Sequence, residues 1–284
     1  MGSTELQLRE EHLAGCLALS KAAHWNQNEA DWRLMLGLGR GWGVMLADGT
    51  LAATTVVLPY GSFAWVSMVL VLPEHRGKGY ATRLLRLALA DLKRRGQTPV
   101  LDATPAGHEV YVQEGFRDTW GFRRYALARK CRASLPSTGV RTLQDLDWSE
   151  ILALDAAAFG ASREALLRTL ARRLPAAALV CERKGRLSGF LLGRDGREAR
   201  QLGPLVARDA LSAQDLLTAA LSAVVPSLYI DLVDREGNLR TWLETLGFAF
   251  QRPFTRMVRV DGPEAAHAPG DASLVFSPAG PELG

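Results

Sequence analysis

The sequence predicts an α/β fold, in which mixed and mostly antiparallel sheets are flanked by helices, and it predicts two successive copies of that fold. Two observations carry this prediction. Helical and strand-like patterns alternate along the chain, and their order in the first half returns in the second half. The 284 residues are enough for two domains with a core each, and a hydrophobic content of 48% is typical of a globular chain.

The first half begins with two helical patterns, followed by a hairpin, a strand, a helix and another strand. The hairpin turns at Asp48–Gly49, a dipeptide that favours tight turns. Residues 63–72 form a nearly continuous apolar run, which predicts a strand buried on both faces. The next helix is predicted over 81–94 and closes at Gly96.

The same order returns after Gly139, with a hairpin turn at Lys184–Gly185. Both halves end on a short amphipathic helix, a Gly-Phe pair and a terminal strand. These patterns predict a first domain over 1–132, a linker over 133–138, a second domain over 139–262 and a flexible tail over 263–284. The linker and the tail follow from their content of Pro, Ser, Gly and Ala.

Composition excludes several classes of function. Cys16, Cys131 and Cys181 are odd in number and far apart, which indicates reduced thiols in a cytoplasmic protein, with no structural metal or disulfide framework. No apolar run is long enough to span a bilayer, and the polar N-terminus is unlike a secretory signal, so we expect no membrane partner. The net charge of +4 comes from scattered arginines, which fits a small anionic ligand better than a nucleic acid.

A basic, glycine-rich turn, Arg76-Gly77-Lys78-Gly79, joins the buried strand directly to the helix. A helix start carries unpaired N–H groups and a partial positive charge, so such a turn can hold an anion. The small residues Ala81 and Thr82 leave room for phosphate oxygens. We therefore predict a pyrophosphate site, with an ordinary strand–helix turn as the alternative. A second glycine cluster, at residues 37–43, leads into a strand and is interpreted as a helix stop.

These residues carry a resemblance to a known family. The run from Arg76 to Ala81 matches the R/Q-x-x-G-x-G/A signature of the GNAT superfamily of acyl-CoA-dependent N-acyltransferases, and residues 104–116 resemble a later motif with a tyrosine four residues before Gly-Phe. The resemblance covers about residues 5–129. Thr104 departs from it, because many members have an asparagine near the cofactor there, and so does Gly107, where alanine is common.

The resemblance implies acyl transfer from acetyl-CoA to the amine of a small molecule, by direct attack in a ternary complex. The residues that it implies for cofactor binding are Val69, Leu70, Val71, Arg76, Gly77, Lys78, Gly79, Tyr80, Ala81, Thr82 and Thr104. The backbone of residues 69–71 would pair with pantetheine like an added strand. Tyr111 would give a proton to the departing thiolate, or alternatively would only pack inside the fold.

The acceptor side is less defined. Residues 61–72 contain no Asp, Glu or His, so the general base is left open among His24, Glu29, Asp31 and water relays. In the family, the connection between the first two helices lines the acceptor pocket, which makes Trp25, Asn26 and Asp31 candidate substrate residues. The alternative is structural, with Asn28 as an N-cap and Trp32 in the core.

The second copy lacks the basic loop. Pro204, Ala207 and Asp209 stand there, and Asp209 would repel a pyrophosphate but suits the N-cap of the next helix. Leu243 occupies the position that corresponds to Tyr111. We interpret this copy as a degenerate GNAT-like domain that stabilises the first copy or shapes its pocket, to which it could contribute the side chains of Arg240 or Trp242.

The residues leave two functions open. The first is an N-acyltransferase, most simply an N-acetyltransferase, whose acceptor is an amino acid, a polyamine or an amine-bearing xenobiotic. The alternative is a non-catalytic acyl-CoA sensor, which would need the loop but not Tyr111. The sequence leaves a monomer and a homodimer equally open.

Overall fold

The computed structural model describes residues 2–129, 139–260, 262 and 266–284. Within these residues the chain forms eight α-helices and thirteen strands. The helices are α1 (Leu13–Ala22), α2 (Glu29–Leu38), α3 (Tyr80–Arg94), α4 (Pro105–Gln113), α5 (Trp148–Phe159), α6 (Glu164–Arg173), α7 (Ala210–Ala223) and α8 (Gly237–Thr245). The strands are β1 (Ser3–Gln7), β2 (Arg40–Leu46), β3 (Leu51–Tyr60), β4 (Phe63–Val71), β5 (Thr98–Ala103), β6 (Phe116–Leu127), β7 (Val140–Thr142), β8 (Leu179–Arg183), β9 (Arg186–Arg194), β10 (Arg200–Ala207), β11 (Leu228–Val233), β12 (Ala249–Arg259) and β13 (Val275–Ser277).

All of these strands belong to one mixed sheet. Its order is β1-β2-β3-β4-β5-β12-β6-β11-β10-β9-β8-β7, and β13 lies against β10. Most neighbours are antiparallel, whereas β4 with β5 and β10 with β11 are parallel. Both predicted hairpins form, β2–β3 around Asp48–Gly49 and β8–β9 around Lys184–Gly185. The predicted α/β class is therefore confirmed, with one continuous sheet for both halves.

The two halves share a sheet because they exchange their last strands. Strand β12 of the second half pairs with β5 of the first half, with Met257 opposite Leu101. Strand β6 of the first half pairs with β11 of the second half, with Tyr125 opposite Ile230. The exchanged strands also pair with each other along most of their length. The sequence contains two copies of the domain pattern, but strands of both halves build the one sheet. The predicted linker over 133–138 lies outside the described residues.

Helices cover both faces of the sheet. On one face, Leu85 and Leu92 of the amphipathic helix α3 pack with Leu101 and Met257. On the other face, the largest apolar cluster joins residues of both halves, among them Trp32, Trp65, Phe122, Phe190 and Phe254. Its location between the halves places the main core at their junction.

The prediction of a flexible tail is wrong for residues 266–284. Strand β13 pairs with β10, and Phe276, Ala279 and Leu283 are buried. The Trp65 indole N–H and the Tyr60 hydroxyl donate to backbone carbonyls of residues 281 and 283, at 3.0 Å each. The glycine and proline content suggested a loose segment, but the apolar side chains and the satisfied carbonyls fix it in the core.

Candidate active site

Strands β4 and β5 separate partway along their length. Residues Phe63–Trp65 of β4 pair with Thr98–Val100 of β5, and the pairing ends there. Residues 66–71 of β4 therefore have a strand neighbour only on the β3 side. A bulge accompanies the separation, because Met68 has a φ of 51° and the register with β3 shifts near it. The Thr54 hydroxyl donates to the Met68 carbonyl at 2.9 Å and holds the bulge. The result is a fork in which the β5-facing edge of residues 66–71 has no strand partner and can pair with an extended ligand.

A cavity of about 360 Å³ lies at this fork. It is lined by Ala23, Trp25, Val69, Leu70, Val71, Arg76, Ala81, Asp102, Thr104, Ala106, Gly107, Val110 and Tyr111. The structure therefore brings together much of the predicted cofactor set, from residues 69–71 through Arg76 and Ala81 to Thr104, with the predicted catalytic tyrosine.

The basic turn lies at the start of α3 and is exposed from Arg76 to Gly79. Gly77 and Gly79 have φ angles of 74° and 77°, a region that side chains rarely adopt, so the turn itself requires glycine. No side chain caps α3, and its first turn contains no acidic residue. A helix N-terminus beside two cations has the electrostatic character that an anion requires. Of this segment, Arg76 and Ala81 line the cavity, whereas Gly77, Lys78, Gly79, Tyr80 and Thr82 do not.

Tyr111 lies on α4 with its ring across Gly107 and edge-on to Phe116, at a centroid distance of 5.9 Å. Its hydroxyl has no hydrogen-bond partner in the described part of the chain, although the residue lines the cavity. Burial raises the pKa of Tyr111 from 10.0 to about 12. The phenol therefore stays protonated at neutral pH and can donate to a group in the cavity.

Thr104 begins α4 as its N-cap, but its side chain makes no capping hydrogen bond. The residue lines the cavity, so this hydroxyl is left for a ligand or water. Its position beside the fork agrees with the site at which the family resemblance placed a polar residue near the cofactor.

Asp102 of β5 is a cavity residue that sequence reasoning missed. Its carboxylate accepts two hydrogen bonds from Arg256 of β12, at 2.9 and 3.0 Å, and both side chains are buried. The guanidinium lies between Trp65 and Trp120, with centroid distances of 4.4 and 4.1 Å. Burial raises the pKa of Asp102, and Arg256 opposes that rise. No local signal could identify this pair, since its members are 154 residues apart.

The three candidate substrate residues separate in the structure. Trp25 lines the cavity, and its role in substrate binding stays a prediction. The prediction is wrong for Asn26, whose amide is buried: it donates to the Ala199 carbonyl at 2.9 Å and accepts from the backbone N–H groups of Glu198 and Ala199. Asn26 therefore holds the second half of the chain against the first and has little capacity for a substrate.

The prediction of Asp31 as a substrate residue is also wrong. Asp31 is fully buried, forms a capping box with Asn28, and binds Arg173 at 2.6 Å and Arg194 at 2.9 Å. The structural alternative is the correct one, because Asn28 is the N-cap of α2 and Trp32 is buried. The carboxylate of Asp31 is already shared by two guanidinium groups from the second half, which leaves no site for an ammonium group.

The other candidate bases do not line the cavity. His24 is exposed, and Glu29 is exposed on α2 beside Arg33. Asp102 is the one carboxylic acid on the described lining, and Arg256 occupies both of its oxygens. Of the alternatives that the sequence left open for the general base, the water relay stays a prediction.

In the second copy, β10 and β11 also separate partway along their length, but β13 occupies the space between them. Strands β10 and β11 pair only over Arg200–Leu202, and beyond that point β13 pairs with β10 at Leu205 and Val206. Asp209 caps α7 by accepting from the Ser212 N–H at 2.7 Å, so the N-cap prediction is confirmed. Leu243 is buried and Trp242 packs on the second core, so neither lines the cavity of the first copy. The chain's own strand occupies the edge that a ligand would use.

Membrane-spanning helices and metal clusters are both absent from the part of the chain that the structure describes. None of its helices is both long and apolar enough to cross a membrane. Within the same ranges, no three His, Cys, Asp or Glu side chains lie together in a way that could hold a metal ion. Cys16 and Cys181 are free buried thiols, while Cys131 lies outside those ranges.

Comparison with known proteins gives the same two-part organisation. A model described as "Acetyltransferase (GNAT) family" matches residues 8–116, and one described as "Acetyltransferase (GNAT) domain" matches residues 151–269. The chain is 24% identical over 249 residues to the uncharacterized N-acetyltransferase YitH of Bacillus subtilis (strain 168), with 86% of each chain covered.

Solved structures resemble the whole fold. A putative acetyltransferase from Pyrococcus horikoshii superimposes with a TM-score of 0.80 at 18% identity, covering 100% of this chain and 96% of that one. A tandem GNAT protein from the clavulanic acid biosynthesis pathway gives a TM-score of 0.64 at 16% identity, covering 93% and 100%. At such identities the likeness concerns the fold alone.

Proposed function

This chain belongs to the GNAT superfamily of N-acyltransferases, with two tandem copies of the fold, and we propose that its first copy transfers an acetyl group from acetyl-CoA to the amine of a small molecule. One observation carries the proposal. A forked strand edge, an uncapped helix start with two cations and a protonated tyrosine meet at one cavity in the first copy. In the second copy, β13 fills the fork and Asp209 caps the helix.

The chain's residues would bind the co-substrate along its length. The free edge of β4 at residues 69–71 offers backbone groups to pantetheine, and the start of α3 with Arg76 and Lys78 offers charge to the diphosphate. This leaves the thioester at the fork, beside Trp25 and Tyr111. Each of these groups is already in place in the protein, so little reorganisation opposes binding.

Direct transfer then needs one bond formed and one broken. The amine nitrogen attacks the thioester carbonyl carbon, and the tetrahedral intermediate collapses as the carbon–sulfur bond breaks. The departing sulfur takes the proton of the Tyr111 hydroxyl. The proton that the amine nitrogen loses then passes through water to the tyrosinate and restores the phenol. A main-chain N–H of the β4 edge would stabilise the oxyanion during this step.

The test measures thiol release from acetyl-CoA with a panel of amines. We expect turnover by the wild type and a fall in kcat of about 10²-fold or more in Tyr111→Phe, because the general acid is lost. Acetyl-CoA affinity should be retained, since only one oxygen is removed. Tyr125→Phe, in the second core and away from the cavity, is the matched control and should keep its activity.

The same experiment has a second readout in the pH profile. An acid catalyst loses activity as the pH rises through its pKa, and the pKa of Tyr111 is about 12. We therefore expect no loss of activity from this group up to about pH 10. A basic limb near pH 8–9 that disappears in Tyr111→Phe would contradict this assignment. Acetyl-CoA binding without thiol release for any amine would favour the non-catalytic sensor.

A further inference from the structure

Arg256 of β12 lies at the point where the fork opens. It is opposite Asp102 on the neighbouring strand, and its guanidinium reaches across β5 to within 4.4 Å of the centroid of the Trp65 ring. Trp65 is the last residue of β4 that pairs with β5, opposite Val100, and Asp102 follows Val100 two positions later on the same face of β5. The guanidinium therefore contacts both strands of the fork at their junction.

The contacts of this guanidinium leave it little freedom to move. It donates two hydrogen bonds to the Asp102 carboxylate, at 2.9 and 3.0 Å, and lies between the rings of Trp65 and Trp120. Trp65 is fixed in turn, because its indole N–H donates to the carbonyl of residue 281 at 3.0 Å. A planar guanidinium can bind a carboxylate through two hydrogen bonds and stack on rings at the same time, which an ammonium group cannot do.

The Asp102 carboxylate does not face the cavity. Asp102 is half-buried as a residue, but its side chain is fully buried, so the part of it that lines the cavity is main chain. Both carboxylate oxygens accept from Arg256. An effect of this pair on the reaction would therefore act through the position of β5.

The end of β5 carries the helix on which the candidate acid lies. Strand β5 ends at Ala103 and α4 begins at Pro105, so only Thr104 separates the strand from the helix. Beyond Val100, β5 has a strand neighbour only on the β12 side, because β4 has left it. A shift of the strand end is therefore passed to α4 and to Tyr111. Displacements of about 1 Å in a reacting group can cost about 10²-fold in rate.

We propose that Arg256 is a positioning residue for the transfer, because it holds the end of β5, and with it Tyr111, at a fixed distance from the β4 edge where the thioester lies. This inference rests on the proposed function and adds a residue to it. All residues on the described lining of the cavity come from the first copy. Arg256 comes from the second copy and gives that copy a defined part in the reaction.

The test is a double-mutant cycle between Arg256→Lys and Tyr111→Phe, measured as thiol release with the amine that the wild type turns over fastest. Arg256→Lys alone should lower kcat by about tenfold, because lysine keeps the charge but not the planar contacts, and should change the affinity for coenzyme A by less than about twofold. In the Tyr111→Phe background it should lower kcat by less than about twofold, because the group that Arg256 positions is gone. A loss of stability alone would lower kcat equally in both backgrounds.

Arg124→Lys is the matched control. Arg124 is also buried and binds Asp231 through two hydrogen bonds of 2.8 and 2.7 Å, and its guanidinium lies 5.3 and 5.4 Å from the ring centroids of Phe254 and Tyr229. These partners lie on β11 and β12, away from both strands of the fork. We expect Arg124→Lys to lower the free energy of unfolding about as much as Arg256→Lys, and to leave kcat unchanged.

Amide hydrogen exchange gives a readout that needs no substrate. In the unliganded protein, we expect the backbone amides of residues 101–104 to exchange about tenfold faster in Arg256→Lys than in the wild type, and at the wild-type rate in Arg124→Lys. If Arg256→Lys does not fold, Trp120→Leu removes one of the two rings that hold the guanidinium. It should give the same pattern with a smaller loss, about threefold in kcat.

The outcomes separate the two proposals. Multiplicative losses in the cycle, an equal loss of kcat in Arg256→Lys and Arg124→Lys, or unchanged exchange at residues 101–104 would each overturn the role of Arg256 and leave the acyltransferase in place. If acetyl-CoA binds but no amine releases thiol, the proposed function fails, and the positioning role fails with it.

Discussion

At the scale of single residues, the contact between Tyr111 and Gly107 sets the position of the candidate acid. A Cβ atom on Gly107 would lie 2.9 Å from the Cε2 atom of the tyrosine ring, closer than such atoms approach one another. The two residues are one helical turn apart on α4, where side chains at i and i+4 share a face. The small residue therefore lets the ring lie flat along the helix, toward the cavity.

Gly107→Ala tests this contact. We expect kcat to fall by about twofold to tenfold because the ring must shift, while the melting temperature stays the same or rises, since alanine favours a helix over glycine by about 1 kcal/mol. Steady-state kinetics and thermal unfolding measure the two effects. Gly37→Ala is the matched control, because Gly37 lies in α2 with open space around it and should gain stability without loss of activity. An unchanged kcat in Gly107→Ala would show that the ring position is not limiting.

The sequence located the candidate acid but misassigned part of the acceptor pocket. Tyr111 was recognised from a motif confined to residues 104–116, and the structure brings it to the cavity. Asn26 and Asp31 look like ligand-binding groups locally, but their partners lie in the second half of the chain, 142 to 173 residues away. Whether a polar side chain is free depends on such distant partners, which a local pattern does not contain.

At the scale of elements, the turn before α3 follows directly from its sequence. Gly77 and Gly79 permit positive φ angles, and the absence of an acid or a side-chain cap leaves the helix start available to an anion. In the second copy, Asp209 takes up that helix start itself. The residue at the N-cap thus distinguishes an uncapped helix start in the first copy from a capped one in the second copy.

Calorimetry with coenzyme A tests the turn. We expect Arg76→Ala and Lys78→Ala each to weaken binding about fivefold, or about 1 kcal/mol, because the contacts are exposed and screened by salt. The stoichiometry should be one per chain, since β13 fills the second fork. Lys93→Ala, at the other end of α3, is the control. Unchanged affinity in both variants, or two sites per chain, would contradict the assignment.

The fork itself illustrates what the pattern of an element leaves open. The apolar run at residues 63–72 predicted a buried strand, and β4 forms there. The family resemblance implied unpaired backbone groups at residues 69–71, and β5 does leave β4 after Trp65. The apolar pattern alone indicated neither this separation nor the bulge at Met68, because both depend on the neighbouring strands.

At the scale of the whole molecule, the exchange of β6 and β12 makes the site a product of both halves. Arg256 reaches Asp102 under the cavity only because β12 lies beside β5. The segment after β12 returns through the second fork and ends against Trp65 and Tyr60 in the first half. The predicted structural or pocket-shaping role of the second copy has a physical basis in these contacts.

The free energy of unfolding tests the Asp102–Arg256 pair. Asp102→Asn should destabilise the protein by about 3 to 5 kcal/mol, because it leaves a buried guanidinium without its counter-charge. The double variant Asp102→Asn with Arg256→Met should be less destabilised, since no unpaired charge remains. Urea unfolding at neutral pH measures both.

The exposed pair of Glu29 and Arg33 provides the comparison. Glu29→Gln should lower the free energy of unfolding by less than about 1 kcal/mol, because solvent screens that pair. If Asp102→Asn were as mild as Glu29→Gln, or the double variant were worse than the single one, the buried pair would not hold the two halves as described.

The sequence by itself determined the fold class, the duplication, the basic glycine-rich turn and the candidate acid, because each is written in short-range periodicity, in glycine placement or in a contiguous motif. Only the tertiary structure decided which half supplies each strand, which polar groups are already paired, and where residues 266–284 lie. The physical reason is that strand pairing and charge neutralisation join residues more than a hundred positions apart, as in Arg256 with Asp102. Such partners are selected by the packing of the complete chain.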